Sequence, residues 1–213
     1  MTDNRLGGGA MIVGAVASLV TMGIHPSAGD LLAPGRLSAL SLLAAVAHAL
    51  AIASLPVAFL GALALTRYVD SPARIAAVAV VAYGFALAAV MVAAAVSGFV
   101  APHALQHVVL DVPPISDEWR QLAIYTGLLN RAFAMIFVML SSAAIMCWSV
   151  AIVRSRTLAR SVGIYGVVIA PVIVIAVGSG HVALDVHGFG AVILLQAIWF
   201  ISTGASLWRA TPA

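Results

Sequence analysis

Two short stretches of this chain hold most of its capacity for chemistry. His107-Val108-Val109-Leu110-Asp111-Val112 recurs, with one change, as His181-Val182-Ala183-Leu184-Asp185-Val186. Matching valines and leucines say little in a chain that is 63% hydrophobic. Matching histidines and aspartates say more, because there are only 6 His and 7 Asp plus Glu. His103, His107 and Asp111 are spaced i, i+4, i+8, which lines up one face of a helix. Two imidazoles four residues apart can hold a transition metal, and a carboxylate can add a ligand or orient a ring. His181 and Asp185 repeat the four-residue spacing, His187 follows, and His25 stands at another helix end. The candidate metal ligands are therefore His103, His107, His181, His187 and His25. Asp111 and Asp185 are the candidate catalytic groups, as ligand, orienter or general base. Nitrogen and oxygen donors without thiolate suit zinc, iron or copper(II), and haem is a weaker fit.

Three further residues bear on a substrate. His48 lies eleven residues into an uncharged run that begins at Leu37, roughly 16 Å along a helix. A polar ring at that depth needs a partner or a cavity, and Ser41, Ser54 and Asn130 are the partners available in sequence. Asn130 and Arg131 fall in the outer half of a later apolar run. Arg131 can snorkel to the interface, or clamp an anionic group, or pair with Asp111 or Asp185. His48, Asn130 and Arg131 are the candidate substrate-binding residues. Gln196, mid-run, reads as an interhelical hydrogen-bonding residue.

The elements that must position these groups follow from composition. The chain has 213 residues and 8% charged residues, with mean hydropathy +1.14. Uncharged runs reach the roughly 20 residues that a helix needs to cross about 30 Å of hydrocarbon. The ~10-residue alternating strands of a membrane barrel are absent from the pattern. The expected fold is all-α: one integral-membrane domain, a bundle of six transmembrane helices over about 6–24, 37–65, 75–101, 119–153, 161–179 and 188–208. Pro56 and Pro171 fall inside spans, where neighbouring helices can satisfy the freed carbonyls. Gly7-Gly8-Gly9 reads as a close-packing site or a flexible lead-in to the first span. The run after Arg5 lacks a clear cleavage site and reads as a retained helix.

Arg5, Arg67, Arg74, Arg154, Arg156, Arg160 and Arg209 fall on one side of these spans. Asp30, Asp111, Asp117, Glu118 and Asp185 fall on the other, with Arg36 and Arg120. The positive-inside rule then puts both termini in the cytoplasm and every histidine in the outer half. The net charge of +3 is explained by this topology, so nucleic acid is not an expected partner. The expected location is a multi-pass position in a membrane, the cytoplasmic (inner) membrane in a bacterium. The one cysteine, Cys147, precludes an internal disulfide or a cysteine metal cluster.

Together these residues lead to a metal-dependent membrane enzyme with its site at the extracytoplasmic face. Its substrate would be a lipid or a small hydrophobic molecule from the bilayer. The alternatives are a transporter or small-ligand binding protein that uses His48, Gln196 and Arg131 along a path, and a haem-binding electron carrier. Ala73-Arg74 and Ala159-Arg160 each open a span that ends near a His-Val-x-Leu-Asp-Val copy, which suggests related two-helix hairpins.

Overall fold

The computed structural model describes residues 3–26, 37–69, 74–110 and 117–210. Asp111 and Asp30 lie outside them. The described residues are helical, without strands. The elements are α1 (Asp3–Ile24), α2 (Leu37–Tyr68), α3 (Ile75–Ala95), a π-helical turn (Val96–Val100), α4 (Ala101–Leu110), α5 (Asp117–Ser155), α6 (Arg160–Gly178) and α7 (Val186–Arg209). Counting α3, the π turn and α4 as one run, six helices are long and apolar enough to cross a membrane.

The third run does not stop near Ala101, where the sequence pattern ends it. It extends as far as Val108 as a spanning candidate, and the π turn explains how. Pro102 has no N–H to give the Gly98 carbonyl, and its ring crowds that carbonyl. The helix widens by one residue instead, so the Ala101 N–H bonds the Val96 carbonyl. Pro56 and Pro171 sit inside α2 and α6 without ending them.

Contacts at glycines define the helix directions. Gly7 meets Ala64, Gly61 meets Met11 and Gly14 meets Ala58, so α1 runs antiparallel to α2. Gly8 meets Gly204 and Gly190 meets Met22, so α1 is also antiparallel to α7. Helices α2, α3, α5 and α6 follow one another around the bundle, and α7 closes it against α1. The path from α5 through α6 leaves α5 and α7 parallel: Phe137 faces Phe189, Ser141 meets Gln196, and Trp148 stacks on Trp199.

Large apolar side chains point outward and small ones inward. Leu42, Phe85 and Ile175 are each about two-thirds exposed, at 67%, 66% and 68%. Ala47, Ala62, Ala79, Ala86, Ala144 and Ala151 are fully buried. Large apolar side chains facing outward along the helices suit hydrocarbon better than water. Small residues inside let backbones approach closely, which is how helices associate without a hydrophobic drive between them. The triple glycine is such a contact. A Cβ on Gly8 would stand 2.5 Å from the Gly204 carbonyl oxygen and 2.7 Å from the Trp208 nitrogen. Four aromatic rings fill the middle: Trp148 packs on Tyr83 and Trp199, and Tyr83 on Phe200. The Trp148 indole N–H donates to Thr66 Oγ1 at 3.0 Å.

Because the groups facing Gly8 are backbone, Gly8→Ala must push α1 away from α7. A cost of about 1–3 kcal/mol is expected for such overpacking. Gly23 has nothing within 4 Å of a Cβ, so Gly23→Ala should be neutral or stabilising through helix propensity. Unfolding of both variants in mixed micelles checks the contrast.

Candidate functional site

The structure brings together two histidines that the sequence pattern did not pair. His48 on α2 is 5% exposed. Its Nδ1 lies 2.6 Å from the Ala44 carbonyl oxygen, one helical turn back. His25 follows the last residue of α1, and its Nδ1 lies 2.8 Å from the Pro26 carbonyl oxygen. The two Nε2 atoms are 3.1 Å apart, with ring centres 4.7 Å apart and ring planes at 69°.

A carbonyl oxygen only accepts, so each Nδ1 carries the ring hydrogen. Each Nε2 of a neutral ring then presents a lone pair, and the two lone pairs face one another. Burial holds the His25 imidazole below its ordinary value, against the raising influence of the Pro26 carbonyl.

The π turn supports this pair from behind. A Cβ on Gly98 would overlap the His48 Cβ and stand 2.7 Å from its Cγ and 3.0 Å from its Nδ1. The ring therefore rests on bare backbone that the Gly98–Pro102 pairing has displaced. π turns recur at functional sites for this kind of local reshaping. A glycine four residues before a proline inside an apolar run was the available sequence signal.

Ser54 and Ser41 do not hold His48. Ser54 Oγ donates to the Ala51 carbonyl at 2.7 Å, and Ser41 Oγ is buried without a hydrogen bond. Asn130 is partly buried on α5, and the two rings bond instead to the Ala44 and Pro26 carbonyls. The 3.1 Å separation of the two Nε2 atoms leaves no room for a haem plane between them.

The other predicted residues lie apart from this pair. His103 and His107 share a face of α4, with ring centres 5.0 Å apart, as their spacing requires. Both pack on Trp119 at the start of α5: His107 stacks at 4.0 Å and 12°, and His103 meets it edge-on at 5.8 Å. His181 is in the connection between α6 and α7, where Ser179 Oγ lies 2.7 Å from its Nδ1. Among the described residues, no three His, Cys, Asp or Glu side chains come within reach of one metal ion.

The two copies of the repeated motif differ in conformation. His107 to Leu110 is helical, whereas the segment from Ser179 to Asp185 is not. The i, i+4 face expected for His181 and Asp185 therefore does not form. Gly180, at φ 78°, ends α6, and the Val182 N–H bonds back to the Ala176 carbonyl at 3.0 Å. Asp185 instead caps α7, its Oδ1 accepting from the Gly188 N–H at 2.8 Å. That bond holds the Asp185 carboxyl below the usual aspartate value, helped by the His187 N–H and by the charges of His187 and Arg131. Arg131 is exposed and acts on Asp185 through this field, without a salt bridge among the described residues.

A second buried polar group lies deeper. Gln196 on α7 donates from Nε2 to Ser141 Oγ at 2.8 Å and Ser142 Oγ at 3.2 Å. This is the interhelical role its position suggested. Gln196 also lines a cavity of about 40 Å3 with Ser18, Ala58, Tyr83, Phe137 and Phe200, drawn from five helices.

The chain matches no protein-family model, no curated protein and no solved structure.

Gly98→Ala should displace the His48 ring, because the methyl group has no other space. Nitrogen-15 spectra of the imidazoles should show His25 and His48 shifting together, with His181 and His187 unmoved. The Asp185 cap has its own signature. A lowered carboxylate value means its stabilising effect is complete above the ordinary value of 3.8 and is lost as pH falls through the lowered one. Asp185→Asn should flatten the acid-side fall of the thermal midpoint between about pH 5 and pH 2, with little change near neutrality.

Proposed function

We propose that this chain is a multi-pass integral membrane protein that binds a small polar ligand inside its helical bundle, in the manner of a transporter or small-ligand receptor. The observation that carries this reading is the Gln196 amide at the central cavity. Its Nε2 is committed to Ser141 and Ser142. The same side chain lines the cavity beside Ser18 and Tyr83, so a small polar molecule there would lie against it. A polar side chain in an apolar bundle marks a ligand path unless it only joins helices, and Gln196 both joins helices and lines the cavity. The cavity, at about 40 Å3, holds a few water-sized atoms. The ligand would be a small hydrogen-bond donor such as water, ammonia or an amide of a few heavy atoms.

On this reading both termini are cytoplasmic, by the arginine bias, and the histidine-bearing ends of the helices face outward. The metalloenzyme reading built on His103, His107 and His181 has less support. His181 bonds Ser179, while His103 and His107 pack on Trp119.

Two measurements test the proposal. Proteoliposomes should pass water, ammonia or urea faster than protein-free vesicles in stopped-flow shrinkage. Gln196→Leu should reduce that excess at least tenfold while α-helical content stays unchanged. Flux equal to empty vesicles, together with no binding of these solutes, rejects the reading. For orientation, His181→Cys and Arg156→Cys are placed separately in a Cys147→Ala background. An impermeant maleimide should label the first from outside intact cells and the second only after permeabilisation; the reverse pattern overturns the topology.

A further inference from the structure

We propose that His25 and His48 form a binding site for one divalent transition-metal ion, held between the end of α1 and the middle of α2. The inference rests on the two rings and not on the central cavity.

Ring geometry is the first support. The centre of an imidazole lies about 1.15 Å from its Nε2, and a straight hydrogen bond between two such nitrogens 3.1 Å apart would separate the ring centres by about 5.4 Å. The centres are only 4.7 Å apart, so the two ring axes are bent and not collinear. For a symmetric pair, the two ring-to-nitrogen axes meet about 2.2 Å beyond each Nε2. That is close to the metal–nitrogen distance of about 2.0–2.1 Å. A metal at that distance from both nitrogens would see them at about 98°, between the square and tetrahedral angles.

The second support is the surrounding hydrogen bonding. Ligating histidines donate their other ring N–H to a carboxylate, backbone carbonyl or water, which fixes the tautomer and directs the lone pair at the metal. Both rings here have that arrangement, through the Ala44 and Pro26 carbonyls. A cation also removes the conflict of two lone pairs facing one another at 3.1 Å. Rigid backing is the third. Gly98 of the π turn seats His48, and the glycine contacts between α1 and α2 hold the two helices in register.

Two imidazoles leave coordination positions open, as in metal sites that also take water or a ligand. His25 is only partly buried, so the open side is reachable from the end of the bundle. Nitrogen donors without thiolate favour copper(II), nickel or zinc over soft monovalent ions.

The test uses full-length protein purified on an affinity tag free of histidine and titrated with copper(II). One ion per chain is expected, with an electron paramagnetic resonance spectrum showing two imidazole nitrogens. His25→Ala and His48→Gln should each weaken binding at least tenfold and reduce the count to one imidazole. The His103→Ala/His107→Ala double variant and His181→Ala should bind as the parent does. His25 lies at a helix end, so its variant tests the site even if His48→Gln fails to fold. Equal affinity in His25→Ala and the parent overturns the proposal, as does loss of copper in the His103/His107 double variant. Gln196→Leu should keep the copper spectrum intact, so failure of the cavity reading and failure of the metal site remain distinguishable.

Discussion

The close approach of α1 to its two neighbours is the contact from which the rest of the arrangement follows. Gly8 and Gly204 put backbone against backbone, and Gly7 and Gly14 bring α1 against the methyl groups of Ala64 and Ala58 of α2. This is packing by van der Waals contact, the main attraction available to apolar helices in an apolar solvent. It sets an antiparallel register between α1 and α2, and the same register carried to the end of α1 brings residue 25 opposite residue 48. The histidine pair is thus a consequence of glycines more than a helical turn away from it.

The partner surface for that pair is made by a defect. Pro102 forbids an ordinary helical bond to the Gly98 carbonyl, and the π turn absorbs the change. A regular helix would present a different residue to His48. The widened turn presents Gly98, whose missing side chain leaves room for the ring. Local strain in one helix and close packing between two others therefore meet at the same imidazole.

Elsewhere the bundle treats polar groups in two ways. Thr66 satisfies the Trp148 indole, and Tyr165 donates to the Leu195 carbonyl at 3.0 Å; these are closed pairings that join helices. Gln196 does both, bonding two serines and lining the cavity. At the histidine-bearing end, Asp185 and Ser179 are used to finish one helix and begin the next. The chemistry-bearing residues of the second repeated motif are thereby spent on turning the chain.

Six apolar runs, their prolines and the bridging character of Gln196 were legible in the sequence, because hydropathy and helix length are properties of consecutive residues. The one-sided distribution of arginine was legible for the same reason. The helical face of His103 and His107 was legible because both lie in one unbroken helix. The four-residue spacing of His181 and Asp185 makes no shared face, because Gly180 takes a positive φ beyond the end of the helix. A spacing rule has force only while the helix continues. That His25 meets His48 was decided by tertiary structure alone. His25 and His48 are on different helices, and their distance depends on helix register and on the π turn, neither of which a pattern of residue types along one strand of sequence encodes.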